Sequence, residues 1–181
     1  MNHTKAVRLT DDGHPSKAAY LSNLGISWKT HFNQLSSLPD LNNAISNQEL
    51  AFELTDSRHL DRPLYLSRIA ISQHTHFKHM WCLVSDLKNA ISNERKVVKL
   101  TDDGHPRKAD CLTNLGISQH HSFNQLGNLS DLNNAILNKE KAAELTNDRH
   151  LDKPIYLSSL ALSQHMRFKH IGSQSDLENA I

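Results

Sequence analysis

The sequence predicts an all-α fold, a solenoid of stacked helical hairpins, and three observations carry that expectation. The pair Leu-Thr recurs at Leu9-Thr10, Leu54-Thr55, Leu100-Thr101 and Leu145-Thr146, at separations of 45, 46 and 45 residues, a period that signals a repeat array. Each unit holds two apolar series whose steps of three and four trace a helical stripe. Turn-forming residues separate the series, so each unit reads as a pair of helices that buries its apolar face against its neighbours.

Taken in order, residues 1–8 are the end of a preceding helix, because Lys5-Ala6-Val7-Arg8-Leu9-Thr10 parallels Lys141-Ala142-Ala143-Glu144-Leu145-Thr146. Units follow at 9–53, 54–99, 100–144 and 145–181, about three and a half repeats in a single array. The first loop, Asp11-Asp12-Gly13-His14-Pro15, reads as a turn in which glycine permits positive φ. The second and fourth loops, Asp56 to Leu60 and Asn147 to Leu151, lack the glycine, so odd and even loops are expected to differ. The first helix of the unit, helix A, carries Ala18, Leu21, Leu24, Gly25, Trp28, Phe32 and Leu35. Ser16, Asp61 and Asp152 are placed to cap its N-terminus, with Pro63 and Pro154 in the first turn; Arg107 in that slot predicts a less well capped start.

Helix B carries Leu41, Ala44, Ile45, Ala51 or Phe52, and Leu54, with Ser37, Ser85, Ser130 and Ser175 as its caps. One extra residue lies between Phe77 and Asp86 and predicts a bulged corner over Lys78 to Ser85, with Trp81 in it. Units one and two match units three and four at an offset of 91 (Phe32 to Phe123, Phe77 to Phe168), so a two-unit block was duplicated. The last residues, Asp176 to Ile181, match Asp40 to Ile45. Neither end carries a polar-faced cap repeat, which predicts a longer array or an end covered by another chain.

Composition narrows the function. Lys and Arg number 20 against 19 Asp and Glu, a net charge of +1, with no basic cluster of the kind that nucleic acid or an anionic membrane requires. No apolar run approaches a signal-peptide core or a membrane span. Cys82 and Cys111 occupy unrelated repeat positions and make neither a disulfide framework nor a zinc site. A soluble, cytoplasmic chain is expected.

Leu21-x-x-Leu24-Gly25-x-x-Trp28, followed by Ala44 and Ala51, resembles the tetratricopeptide (TPR) signature. In that family small residues mark the closest approach of helices A and B; here Ala70, Gly116 and Ala161 hold the Gly25 place, Ala90, Ala135 and Ala180 the Ala44 place, and Val97 and Ala142 the Ala51 place. Gly25 to Ala44 spans 19 residues where an ordinary TPR has 12. The longer unit, with its L-T-x-D-G-H-P loop and N-L-G-x-S helix, resembles extended TPR arrays of fungal NACHT- and CHAT-type signalling proteins. The resemblance covers essentially the whole chain and implies a right-handed superhelix with helix A on the concave face, acting as a regulatory or ligand-sensing segment.

The groove positions that the resemblance implies form three polar ladders: Ser22, Ser67, Thr113 and Ser158; Asn23, Arg68, Asn114 and Ser159; Lys29, His74, His120 and His165. Ile26, Ile71, Ile117 and Leu162 stand where carboxylate-clamp TPRs carry a binding asparagine, so an apolar contact stripe replaces that type of recognition. The 13 histidines raise a metal hypothesis, but successive units lie roughly 10 Å apart, too far for stacked imidazoles to share a zinc ion. His76 and His79 lack an Asp or Glu at helical spacing. His14, His59, His105 and His150 read as loop residues that pack or hydrogen-bond to the turn. Cys111 lacks a catalytic setting, Asp11-Asp12-Gly13 lacks the ligand pattern of a calcium loop, and Trp28 reads as core. The expectation is a non-enzymatic scaffold without cofactor or metal, binding a protein or peptide on the helix A face. The competing expectation is a structural segment that self-associates through its ends.

Overall fold

The computed structural model describes residues 2–80 and 84–181. The expected bulge over Lys78 to Ser85, and with it Trp81 and Cys82, falls on residues 81–83, outside the described residues. Among the described residues all regular structure is helical: α1 (Asn2–Arg8), α2 (Lys17–Leu35), α3 (Leu38–Glu53), α4 (Arg62–Met80), α5 (Val84–Leu100), α6 (Lys108–Leu126), α7 (Leu129–Glu144), α8 (Lys153–Ile171) and α9 (Gln174–Asn179). None of these helices is long and apolar enough to cross a membrane.

The chain divides into two compact units, Met1–Val97 and Val98–Ile181. In the first, α1 packs on α2, α2 on α3 and α3 on α4, and α2 also touches α4; in the second, α6, α7, α8 and α9 pack in sequence and α6 touches α8. The predicted stripes form the cores. Leu21, Phe32, Leu41, Ala44 and Ala51 are almost wholly enclosed in the first unit. The second has two clusters, Ala109, Leu112, Ala142 and Tyr156 with Val98 beside them, and Phe123, Leu132 and Ile136 with Leu129, Leu160 and Met166. Leu35 and Leu54 are exceptions, exposed where α2 and α3 run out, and Trp28 is only partly buried.

The small residues do what their size permits. A Cβ added to Gly25 would meet Gln48 Cγ at 2.7 Å and the Ala44 carbonyl oxygen at 3.0 Å; one added to Gly116 would meet Lys139 Cγ at 2.8 Å and the Ala135 oxygen at 3.0 Å. At these two points a Cβ would therefore fit only if the Gln48 or Lys139 side chain shifted.

The connections differ from expectation. Gly13 and Gly104 do not adopt positive φ; among the described residues that conformation falls at Ser36, Gly127 and Gly172, the C-caps of α2, α6 and α8. There the left-handed residue turns the chain out of the helix and its N–H closes on the Phe32, Phe123 or Phe168 carbonyl. Odd and even loops share their backbone hydrogen bonds, and the even loops add a side-chain one, Arg58 N–H donating to Asp56 Oδ1 at 2.9 Å and Arg149 N–H to Asn147 Oδ1 at 3.0 Å. His14 N–H donates to the Asp11 carbonyl and Lys17 N–H to that of His14, and the pattern recurs at His59, His105 and His150.

The caps also shift. Ser16 and Asp152 hold the N-cap position without a side-chain bond. Instead the backbone N–H groups of Ser16, Asp61, Arg107 and Asp152 donate to Nδ1 of the histidine two residues earlier, at 3.1–3.2 Å. The α6 start, with Arg107, has the same arrangement as the others. For helix B the caps are Ser37, Asn128 and Ser173; Ser130 and Ser175 lie inside the first turn and Ser85 inside α5. Asn128 supplies a side-chain bond, accepting from Ser130 N–H at 3.0 Å.

A further device links each loop to the helix before it. Lys17, Arg62, Lys108 and Lys153, each the first residue of a helix A, donate to two carbonyls at the end of the preceding helix. Lys17 Nζ reaches Val7 at 2.9 Å, Lys108 Nζ reaches Val98 at 2.7 Å, and Lys153 Nζ reaches Thr146 at 2.8 Å. A cation there satisfies orphan carbonyls and sits at the negative end of the helix dipole. Asp12, Asp103 and Asp148 lie 3.3–3.6 Å from the three lysines. The Asp-Asp-Gly and Asn-Asp-Arg loops thus serve an ion pair.

Candidate functional site

Between α6 and α8 a recess of about 540 Å³ opens, with Lys139 of α7 contributing to its wall. The apolar part comes from Ile117, Pro154, Ile155 and Leu162, and the polar part from His120, His121, Ser158 and Ser159. Spacing explains the grouping. Ile117, His120 and His121 are three and four apart on α6, and Ile155, Ser158, Ser159 and Leu162 are so on α8, so each set shares one helix face.

Lys139 stands on the buried stripe of α7 between Ala135 and Ala142, four residues after one and three before the other, and is only 3% exposed. Its ammonium donates to the Ser159 carbonyl at 3.0 Å and to Ser163 Oγ at 2.7 Å. Ser163 Oγ in turn lies 2.9 Å from His120 Nδ1. A hydroxyl that accepts from an amine still has its own proton, which it can donate to Nδ1 of a neutral His120 whose ring proton is on Nε2.

The electrostatics agree with that assignment. Burial, then the Lys139 charge, then His121 lower His120 to about 4, so its ring is neutral at physiological pH. Burial lowers Lys139 to about 8. Among the described residues no carboxylate lies within ion-pairing distance of Lys139, which is what leaves the burial cost uncompensated.

The predicted ladders divide. Ile117, His120, Ser158 and Ser159, with Leu162, come together in the recess. Asn114 is partly buried and His165 exposed on the same two helices. Thr113, together with Ser22 and Ser67 of the first unit, is buried rather than offered to solvent; these hydroxyls lie on the side of helix A that meets its neighbours. Asn23, Ile26 and Ile71 are exposed, and Lys29, Arg68 and His74 partly buried. Arg68 donates to Ser22 Oγ. Burial lowers the Lys29 ammonium.

The remaining sites are structural. His79 and His170 stand edge-on to Phe32 and Phe123, with ring centroids 4.7 and 5.1 Å apart, and His31 meets Asp40 at 2.7 Å. Among the described residues no three His, Cys, Asp or Glu side chains are grouped to hold a metal ion. Cys111 is buried, which raises its thiol. Lys139 escapes a reading of helix A alone because it belongs to helix B, and Ser163, though on helix A, lies outside the three ladders and is buried. The available signal is a lysine on a stripe of alanines. No protein-family model matches this chain, and no curated protein is significantly similar to it in sequence.

Proposed function

We propose that the chain is a TPR-like solenoid array that acts as a non-enzymatic interaction module, binding a protein or peptide segment along the helix A face. The observation that carries this reading is the recess, in which ladder positions from two successive helices A converge beside exposed aliphatic side chains. Leu162 is 64% and Ile155 61% exposed, and apolar surface with a few directed polar groups is the composition of a peptide-binding groove. The 45-residue period, the close crossings at Gly25 and Gly116 and the sequential packing of helices support the solenoid architecture.

Random peptides displayed on phage and selected on the purified chain test the reading. Selected peptides are expected to lose binding to an Ile117→Asp, Leu162→Asp variant whose circular dichroism is unchanged. Equal binding to both proteins, or no enrichment, would overturn it.

A further inference from the structure

We propose that Lys139 is a carbonyl-capture site, its ε-amine condensing with a small aliphatic aldehyde held against Ile117, Ile155 and Leu162. Three observations lead there. The lysines that start helices α2, α6 and α8, buried or partly buried, each have an aspartate within 3.6 Å. Lys139, more deeply buried than the first two, has none among the described residues. Second, its partners are the two acceptors Ser159 O and Ser163 Oγ. Among the described residues these two acceptors leave the third N–H of the ammonium without a partner, and once that proton is lost the neutral amine keeps both bonds and has its lone pair for chemistry. Third, Lys139 forms part of the wall of an open recess whose other walls are largely aliphatic. A lysine desolvated in an apolar pocket is the setting in which amines add to carbonyl compounds. Its lowered ammonium, near 8, is consistent with this.

The step balances without a co-reactant. The nitrogen lone pair adds to the carbonyl carbon, the C=O π pair moves to oxygen, and one nitrogen proton is transferred to that oxygen. The carbinolamine then loses its hydroxyl together with the second nitrogen proton as water, leaving a C=N bond. Nothing is oxidised or reduced. Ser163 Oγ, 2.7 Å from the amine and 2.9 Å from His120 Nδ1, is placed to relay these protons.

This capture stands independently of peptide binding. The test incubates the 181-residue chain with hexanal and sodium cyanoborohydride, which reduces the imine to a stable amine, and maps alkylated lysines by mass spectrometry over time. Lys139 is expected to react at least about tenfold faster than Lys169, an exposed lysine of α8. Lys139→Gln, which installs the residue found at position 48, should remove the fast phase and leave the slow background. Reaction at Lys139 no faster than at Lys169 in the folded wild-type chain overturns the proposal, as does a fast phase that survives in the variant. The wild-type ratio decides the matter even if the variant does not fold, and phage selection could still succeed when this test fails.

Discussion

Residues 26–72 and 117–163 occupy the same places in the duplicated block, yet the second set links a lysine, a serine and a histidine where the serine of the first set has no partner among the described residues. Helix A meets helix B at Gly25 in one and Gly116 in the other, with nearly the same clearances. Where the second has Lys139, the first has Gln48; where the second has His120 and Ser159, the first has Lys29 and Arg68. The serine is common to both, and its state differs. Ser163 bridges Lys139 and His120, whereas Ser72 Oγ and Gln48 Oε1 are buried with no hydrogen-bond partner among the described residues. Arg68 is instead directed to Ser22 of α2. The backbone crossing is common to both copies, while three side-chain replacements change the polar groups beside it.

The largest expected effect comes from moving the cation. Gln48→Lys would bury an ammonium at a position flanked in the ladders by Lys29 and Arg68, where the second unit has neutral His120 and Ser159. It should cost about 3 kcal/mol or more in urea unfolding; a loss below about 1 kcal/mol would mean that the two environments are interchangeable.

Next in size, Lys139→Gln should raise stability by about 1–3 kcal/mol at pH 7, because it removes an uncompensated buried charge. The sign carries a pH signature. Burial lowers Lys139 from 10.5 to about 8, so in that interval the unfolded chain binds more protons than the folded one. The penalty is fully present below about 8 and shrinks as pH rises toward 10.5. Wild-type stability therefore gains on the variant across that window, and parallel curves for the two proteins would refute the account.

The smallest effect concerns a bond that only the second unit makes. Tyr156 Oη donates to Asp110 Oδ1 at 2.6 Å, joining α8 to α6, and burial together with this bond raises the phenol. Tyr65 holds the equivalent place opposite Ala19 and is buried without such a partner among the described residues. Tyr156→Phe should cost about 1–2 kcal/mol and Tyr65→Phe less than about 0.5 kcal/mol. Equal losses in thermal unfolding would dissolve this distinction between the units.

Much of the helical layout was legible. The three-and-four steps of Leu21, Leu24 and Phe32 report which face is buried, and glycine or alanine at 25, 44, 116 and 135 reports where helices touch, because both are consequences of local periodicity and side-chain size. The loops were less legible. Gly13 suggested positive φ, but its turn needs none, and the strained position went to Ser36, Gly127 and Gly172. Comparing the copies at the offset of 91 aligns Ser36 with Gly127, which was the available clue. Histidine Nδ1 displaced Ser16 and Asp152 as the partner of the helix-start N–H groups, a competition between nearby acceptors that composition does not rank. The candidate site was half legible: Ile117, His120, Ser158 and Ser159 lie on helix A faces, whereas Lys139 enters from helix B.

Repeat period, helix pairing and the identity of the crossing residues follow from the order of side chains along the chain, since each depends on neighbours a few residues away. The carbonyls held by Lys17, Arg62, Lys108 and Lys153, the Lys139–Ser163–His120 chain and the recess beside it arose only on packing. Each joins atoms that are seven to 43 residues apart in sequence, and whether a buried lysine finds a carboxylate, a hydroxyl or open space is settled by which helix lies against it.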